Sequence, residues 1–313
     1  MDFKCYDSFF DGQKVLVTGG AGFIGSHLTQ HLASLGASVH VLDDFSSGHS
    51  KNLDGIDVKI TEGSILDVAA VSKATQGCSI VFHEAAFVSV PSSFEQADKC
   101  FEINIKGTSN ILTHASKAQC NRVVFASSAA CYGSDANVPS KESDRVSAES
   151  PYAQSKVMGE QLVKDASVDA ASLRYFNVFG QRQDPNSQYA AVVSAFANAI
   201  STRQVPILFG DGKQSRDFTH VANIVHANLL AASHSKPLAG GVFNVGTGSM
   251  MSLLELLQSM TQGNEMAIDF KPARTGDVFA SCANIEKIQS ELGYDVIAKT
   301  QSSLVELVNP KQS

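Results

Sequence analysis

The feature that most constrains this chain is a run of glycines with a strand before it and a helix after it. Lys14-Val15-Leu16-Val17-Thr18 is an apolar run of strand length. Gly19-Gly20-Ala21-Gly22-Phe23-Ile24-Gly25 follows at once, and Gly19, Gly22 and Gly25 keep the spacing GxxGxxG. The residues from 23 to 35 carry a helical apolar pattern, and Gly36 stands where such a helix would be capped. Glycine is needed at such a turn for steric reasons. The chain turns sharply, the backbone must touch a pyrophosphate, and the helix must pack closely on the strand. The helix start offers N–H donors and a positive dipole end to the phosphates. A second strand pattern, Ser38 through Leu42, runs into Asp43, 18 residues beyond Gly25. A carboxylate there accepts from ribose hydroxyls and repels a 2′-phosphate, so the expected cofactor is NAD rather than NADP. The plainer reading is an ordinary glycine-rich turn beside an ordinary surface acid, Asp44.

The same alternation continues down the chain. Strand patterns recur at 58–60, 79–83, 122–126 and 171–175, with helix patterns at 104–118 and from Pro151 onward. Proline opens a helix at little cost because its missing N–H would lack an intrahelical partner anyway. Strands alternating with helices predict an α/β fold, a doubly wound parallel sheet of Rossmann type with both faces covered. After about Gly180 the rhythm changes. A polar loop at 181–188 precedes a helix at 190–202, a short strand at 205–209 and the turn Gly210-Asp211-Gly212. The expected organisation is an NAD-binding domain over 1–180 and a smaller, mixed α/β C-terminal substrate domain over 181–313. A segment near 215–235 is expected to return to the first domain.

Composition narrows the function classes. With 313 residues, 43% apolar and 18% charged, the chain can bury a core without metal or disulfide staples. Its net charge of -7 argues against a general nucleic-acid binder. No apolar run approaches the ~18 residues of a membrane helix, and the first residues lack a secretory pattern, so a cytoplasmic protein is expected. Six scattered cysteines without a CxxC pair predict no metal site. His27 and His31 stand four apart on the first helix, but no third ligand is evident and they are read as packing residues.

A second constellation carries acid–base chemistry. Tyr152 and Lys156 lie four apart on a predicted helix and so share a face. A phenol with a pKa near 10 is a poor base at neutral pH, and a neighbouring ammonium favours its anion. Ser128 lies just past the carboxyl end of the fifth strand, where open parallel sheets bind ligands. It can donate to the same oxygen that the tyrosine deprotonates. The bland alternative is a solvated helix face.

Together these motifs resemble the extended short-chain dehydrogenase/reductase family. The resemblance covers nearly the whole chain. It includes His83-Glu84-Ala85-Ala86, Asn104-Ile105-Lys106-Gly107-Thr108, Arg174-Tyr175-Phe176-Asn177-Val178-Phe179-Gly180, Ser215-Arg216-Asp217-Phe218 and Asn244-Val245-Gly246. Within that family the chain is most similar to nucleotide-sugar 4-epimerases. Gln181-Arg182-Gln183-Asp184-Pro185, with Tyr189-Ala190-Ala191-Val192, resembles the branch acting on UDP-N-acetylhexosamines. The resemblance implies NAD held by Gly19, Gly22, Phe23, Ile24, Gly25, Asp43, Asp44, Ser46, Gly48, Ile65, Ala85, Ala86, Asn104, Tyr152, Lys156 and Tyr175. It implies a UDP-sugar held by Ser89, Ser128, Asn177, Ala191, Val192, Phe209, Arg216, Arg274, Asp277 and Ser281. It also implies the chemistry, in which Tyr152 removes the proton of the sugar 4-hydroxyl while NAD takes the hydride from carbon 4. The keto sugar then rotates, and the hydride returns to its other face.

Two positions sharpen the subclass. Family 4,6-dehydratases carry an Asp-Glu pair directly after the residue equivalent to Ser128, whereas this chain has Ala129-Ala130. Epimerases restricted to plain hexoses carry a bulky tyrosine where Ser281 stands, so a small residue here implies room for a 2-acetamido group. Ser64 and Val88 depart from positions that hold an acid and a lysine in better-known epimerases. Other readings stay open: a UDP-glucuronate decarboxylase or nucleotide-sugar reductase, a UDP-N-acetylhexosaminuronate 4-epimerase, or a catalytically idle dinucleotide sensor. The resemblance also implies a homodimer through the helices at 104–118 and 151–164.

Overall fold

The computed structural model describes residues 6–184, 192–273 and 278–308. At its centre seven parallel strands form one sheet. In chain order they are β1 (Lys14–Thr18), β2 (Ser38–Asp43), β3 (Lys59–Glu62), β4 (Ile80–His83), β5 (Arg122–Ser128), β6 (Ala170–Tyr175) and β7 (Gly241–Val245). Their order across the sheet is β7-β6-β5-β4-β1-β2-β3. Strand order reverses at β1, whose neighbours are β2 and β4. That reversal opens the crevice at the carboxyl ends of the strands where doubly wound sheets take their ligands.

The apolar runs form strands because both faces of the sheet are buried. In β1, Val15 and Val17 join the core on one face and Leu16 joins the core on the other. On the first face, helix α1 (Phe23–Ser34) lies beside the helix Val221–Ser233, and Leu28 and Leu32 share a core with Ile224 and Val225. On the opposite face α2 (Val68–Thr75), α3 (Gly107–Lys117) and α4 (Pro151–Lys164) pack side by side through Val71, Ile111 and Val163. Each fully buried side chain of this size contributes roughly 1.5–3 kcal/mol.

The structure shifts several boundaries read from sequence. β3 runs two residues further than its apolar core because it is an edge strand with half-exposed or exposed side chains. The helix expected from Asn104 begins as a wide π turn, Glu102–Lys106, before α3 proper. The wide turn seats the Asn104 side chain among buried groups, and Gly107 leaves space for Ile65, whose Cδ1 would lie 2.4 Å from an added Cβ. The least expected element is β7. Its five residues pair in register with β6 (Asn244 opposite Arg174, Val245 opposite Tyr175), about seventy positions earlier in the chain. Local periodicity marks such a segment as extended but does not say which sheet it joins.

The remaining chain forms a smaller layer over the carboxyl edge. Helices Val192–Ser201, Leu253–Met260 and Thr300–Val308 enclose Phe196, Leu208, Leu256 and Leu304. Three short strands, Met251–Ser252, Ser215–Arg216 and Ala280–Ser281, lie side by side in that order. Ile207–Phe209 pairs with Asp269–Lys271. Among the described residues, no helix is long and apolar enough to cross a membrane.

Candidate active site

The glycine turn is a close-fitted cradle. Gly19 takes a left-handed φ of +67°. A side chain there would place Cβ 2.8 Å from the backbone nitrogen of Ala85, and one at Gly25 would lie 2.1 Å from the Gly19 carbonyl oxygen. Helix α1 starts at Phe23 with Gly22 as its N-cap, and no side chain caps its first turn. Its N–H groups and dipole are thereby presented to the crevice, which suits a pyrophosphate. Phe23 and Ile24 are half-buried at that start.

Asp43 ends β2 as a buried carboxylate. Its Oδ2 accepts from the Ala21 N–H and its Oδ1 from the Phe45 N–H, both at 2.8 Å. Burial pushes its pKa up, and these two donors oppose the rise. Each oxygen keeps a second acceptor position for a ribose hydroxyl. A Cβ at Gly48 would lie 3.0 Å from Ala21 and from the Asp43 Oδ1, a tight fit. Asp44 is exposed and takes both the N–H and the hydroxyl of Ser46, forming a local turn. The residues of the cradle therefore fit a dinucleotide. His27, on the outer part of α1, bonds the Gln181 carbonyl at 2.9 Å through Nε2, and burial lowers its pKa to about 4.

Two residues expected at the cofactor have additional structural bonds. Asn104 accepts from the Phe87 N–H at 2.7 Å and donates to the Phe87 carbonyl and the Ser155 hydroxyl. It braces the loop after β4 against α4. Tyr175, at the end of β6, donates its hydroxyl proton to Glu84 at 2.8 Å. Ala85, between these groups, donates its N–H to Thr18.

The three residues expected to carry the acid–base chemistry converge on the carboxyl end of β5. Ser128 is the last residue of β5, and its Oγ accepts from the Ala130 N–H as the cap of a short 3₁₀ turn. Its hydroxyl stands close enough to the Tyr152 phenol to favour the phenol's anion. Pro151 opens α4, and Ser150 caps it by accepting from the Ala153 N–H at 3.1 Å. One turn along α4, Lys156 donates to the Ala126 carbonyl at 2.7 Å and sits 5.8 Å from the Tyr152 ring centroid.

Burial governs the electrostatics of the pair. Burial raises the Tyr152 phenol to about 12, and the Ser128 hydroxyl offsets it only in part. Burial also lowers the Lys156 ammonium to about 8. Desolvation is the foremost cause at both groups and favours the neutral phenol and the neutral amine.

A buried scaffold that the sequence reading left unassigned fixes α4 on the sheet. Arg174 on β6 donates to both oxygens of Glu160 on α4, from Nε at 2.8 Å and from Nη2 at 2.7 Å. Ser127 donates to the same carboxylate. The Glu160 and Ser127 signals are an acid eight residues after Tyr152 and a second serine beside Ser128.

Where the sequence places the sugar, the short strands bring distant residues together. Arg216 and Ser281 are register partners, and the Arg216 Nη1 donates to the carbonyls of Ser215 and Phe279. Beside them Asp217 is fully buried and takes the Thr247 N–H and hydroxyl, the Gly248 N–H and the Ala283 N–H. It ties three separate segments behind Arg216 and was not singled out from sequence. Asn177 donates to the Asp217 carbonyl at 3.3 Å. Phe209 pairs with Lys271 in its strand. Ser89 caps the helix Val90–Glu95, and Val192 opens the helix that follows the polar loop. Ala191, Arg274 and Asp277 lie outside the described residues.

Fold and cradle thus define an NAD-dependent enzyme, and sequence comparison agrees. The signature of the NAD dependent epimerase/dehydratase family matches residues 15–246, and the chain belongs to that family. Among its relatives, a putative UDP-glucose 4-epimerase of Methanocaldococcus jannaschii is 34% identical over 94% of this chain and 97% of its own length. A UDP-N-acetylglucosamine 4-epimerase from Methanobrevibacter ruminantium M1, solved with UDP-N-acetylmuramic acid, superposes with a TM-score of 0.90 at 34% identity, covering 96% of this chain and 98% of that one. The UDP-glucose 4-epimerase of Thermus thermophilus, solved with NAD, gives a TM-score of 0.85 at 31% identity, covering 95% and 98%.

Proposed function

We propose that this chain is a UDP-N-acetylhexosamine 4-epimerase that interconverts UDP-N-acetylglucosamine and UDP-N-acetylgalactosamine. The observation that carries the substrate class is Ser281. It stands in register with Arg216, and its hydroxymethyl group leaves the space a tyrosine would fill.

In this reading Tyr152 takes the proton of the sugar 4-hydroxyl and later returns it. Ser128, beside the same phenol, steers that oxygen. Lys156 is fixed by the Ala126 carbonyl, and its charge favours the phenolate form of Tyr152, the form that can accept that proton. NAD, when bound in the cradle, supplies the hydride acceptor and a positive charge that favours the phenolate. Arg216 offers a forked, permanent cation to the diphosphate. The sugar is held by its nucleotide, so its ring is free to present either face. Ala129 and Ala130 supply no second acid or base, which sets water elimination aside. The same reading places a homodimer on the α3 and α4 faces, where Met158 is 48% exposed.

Incubating the enzyme with UDP-N-acetylglucosamine, UDP-glucose and their uronic acids, read by NMR, tests this proposal. The axial 4-epimer of the acetylated sugar is expected, without added reductant and without carbon dioxide. Ser281→Tyr is expected to abolish turnover of the acetylated sugar and spare UDP-glucose. Equal loss on both, or turnover of the uronic acids alone, overturns the assignment.

A further inference from the structure

Glu84 has no part in the proton transfers above, yet it stands half-buried at the carboxyl end of β4, beside the same crevice. It directly follows β4, next to the glycine turn, and its carbonyl carbon would lie 3.1 Å from a Cβ at Gly19. A chain of hydrogen bonds orients its carboxyl. Asn228, fully buried on the helix Val221–Ser233, donates from Nδ2 to the Ile224 carbonyl at 3.0 Å, a bond only the amide nitrogen can make. The same nitrogen donates to the Tyr175 hydroxyl at 2.8 Å. Tyr175 has one proton, and its direction is thereby set toward Glu84, whose Oε1 accepts it at 2.8 Å. Glu84 thus accepts at Oε1 a hydrogen bond that favours its carboxylate form.

Its charge acts on the reacting groups. Glu84 is the foremost opposite charge favouring the Lys156 ammonium. Burial raises Glu84 itself to about 7, while the Tyr175 bond and the Lys156 charge draw it back. The nicotinamide ring must lie beside Tyr152 and Lys156 to exchange a hydride with a sugar held there. That ring is a cation when oxidised and neutral when reduced. A buried ammonium beside it disfavours the oxidised form, and a buried carboxylate restores it.

We propose that Glu84, held as a carboxylate by Tyr175 and Asn228, is the positioning charge that keeps the resident dinucleotide in its oxidised form. An epimerase that releases its keto intermediate is left with NADH and stalls. A residue that disfavours NADH limits this loss. The proposal rests on the dinucleotide site and not on which sugar is bound.

The test equilibrates the holoenzyme with excess equimolar NAD⁺ and NADH until the bound composition is constant. The protein is then desalted and the bound dinucleotides are quantified. Relative to the unsubstituted protein, Glu84→Gln is expected to raise the bound NADH:NAD⁺ ratio about tenfold, which is about 30 mV for a two-electron couple. Glu84→Asp keeps the charge and is expected to stay within about twofold. The ratio cancels any general loss of affinity, which a purely structural role would produce. A Glu84→Gln ratio unchanged within twofold, or an aspartate variant shifted as far as the glutamine one, overturns the proposal.

Discussion

The cradle and the sugar side are built by different means. In the cradle, backbone is the working surface. Gly19 and Gly25 are excluded from bearing side chains by contacts of 2.8 and 2.1 Å, and Asp43 is fixed by two N–H groups from its own neighbourhood. On the sugar side, side chains are the working surface, and they stand on two-residue strands whose partners are remote. Arg216 meets Ser281 across 65 positions of chain and Asp217 reaches Ala283 across 66. A surface made by backbone tolerates few sequences, whereas one made by side chains on paired short strands can be re-lined residue by residue.

The sharpest way to break that comparison is to show that chemistry and cradle cannot be separated. Tyr152 sits on α4, outside the glycine turn. Tyr152→Phe keeps the ring and removes the proton carrier. Turnover is expected to fall about 10²–10⁴-fold, the ordinary worth of general acid–base catalysis. Bound NAD, quantified after acid release, is expected to remain at one per chain. Loss of the dinucleotide along with turnover would mean that the phenol holds the cofactor more than it moves protons.

The converse change attacks the cradle alone. Gly25→Ala places a methyl on the Gly19 carbonyl, a contact that backbone must move to relieve. NAD content is expected to fall below detection, and thermal stability by about 1–3 kcal/mol. The sugar-side strands should keep their hydrogen-exchange protection. If NAD still co-purifies, the close fit of the turn is not what holds it.

These two changes also mark what the sequence made legible. Gly19, Gly25 and Asp43 were readable because a sharp turn, a close backbone approach and a fixed acid leave few alternatives, all within 30 residues. Tyr152, Lys156 and Ser128 were readable as a set because helical spacing and strand ends place them. The weight of burial on Tyr152 was not, because burial is a property of the assembled interior rather than of neighbours in sequence. β7 and Asp217 were hidden for a related reason. Each depends on pairing across tens of residues, and a pattern of five extended residues or a single acid does not name its partner.

Lys156 tests the interior at an intermediate scale. Its folded pKa, about 8, lies below the 10.5 of a free lysine, so folding disfavours its charged form. The resulting penalty is fully present below pH 8 and fades as pH rises toward 10.5. Without dinucleotide, Lys156→Met is therefore expected to stabilise the protein at pH 7 by up to about 3 kcal/mol, while turnover is lost. Urea midpoints across pH 7–10.5 check it. The advantage of the variant must shrink as pH rises; a constant difference would assign it to packing instead.

The smallest effects compare the two regions most directly, because each has a serine N-cap. Ser150 accepts from the Ala153 N–H at the head of α4, and Ser252 forms a capping box with Glu255 at the head of the helix Leu253–Met260. Replacing either by alanine is expected to cost about 1 kcal/mol. The consequences for turnover should differ. Ser150 lies two residues before Tyr152, and fraying of that first turn moves the phenol relative to Ser128. Ser150→Ala is therefore expected to lower kcat several-fold with KM little changed. The helix that Ser252 caps starts beside Arg216, whose strand partner is Met251, so the same loss there should act on KM and leave kcat unchanged. Equal effects on kcat from the two caps would show that the regions are mechanically one body and that their difference lies only in how they were built.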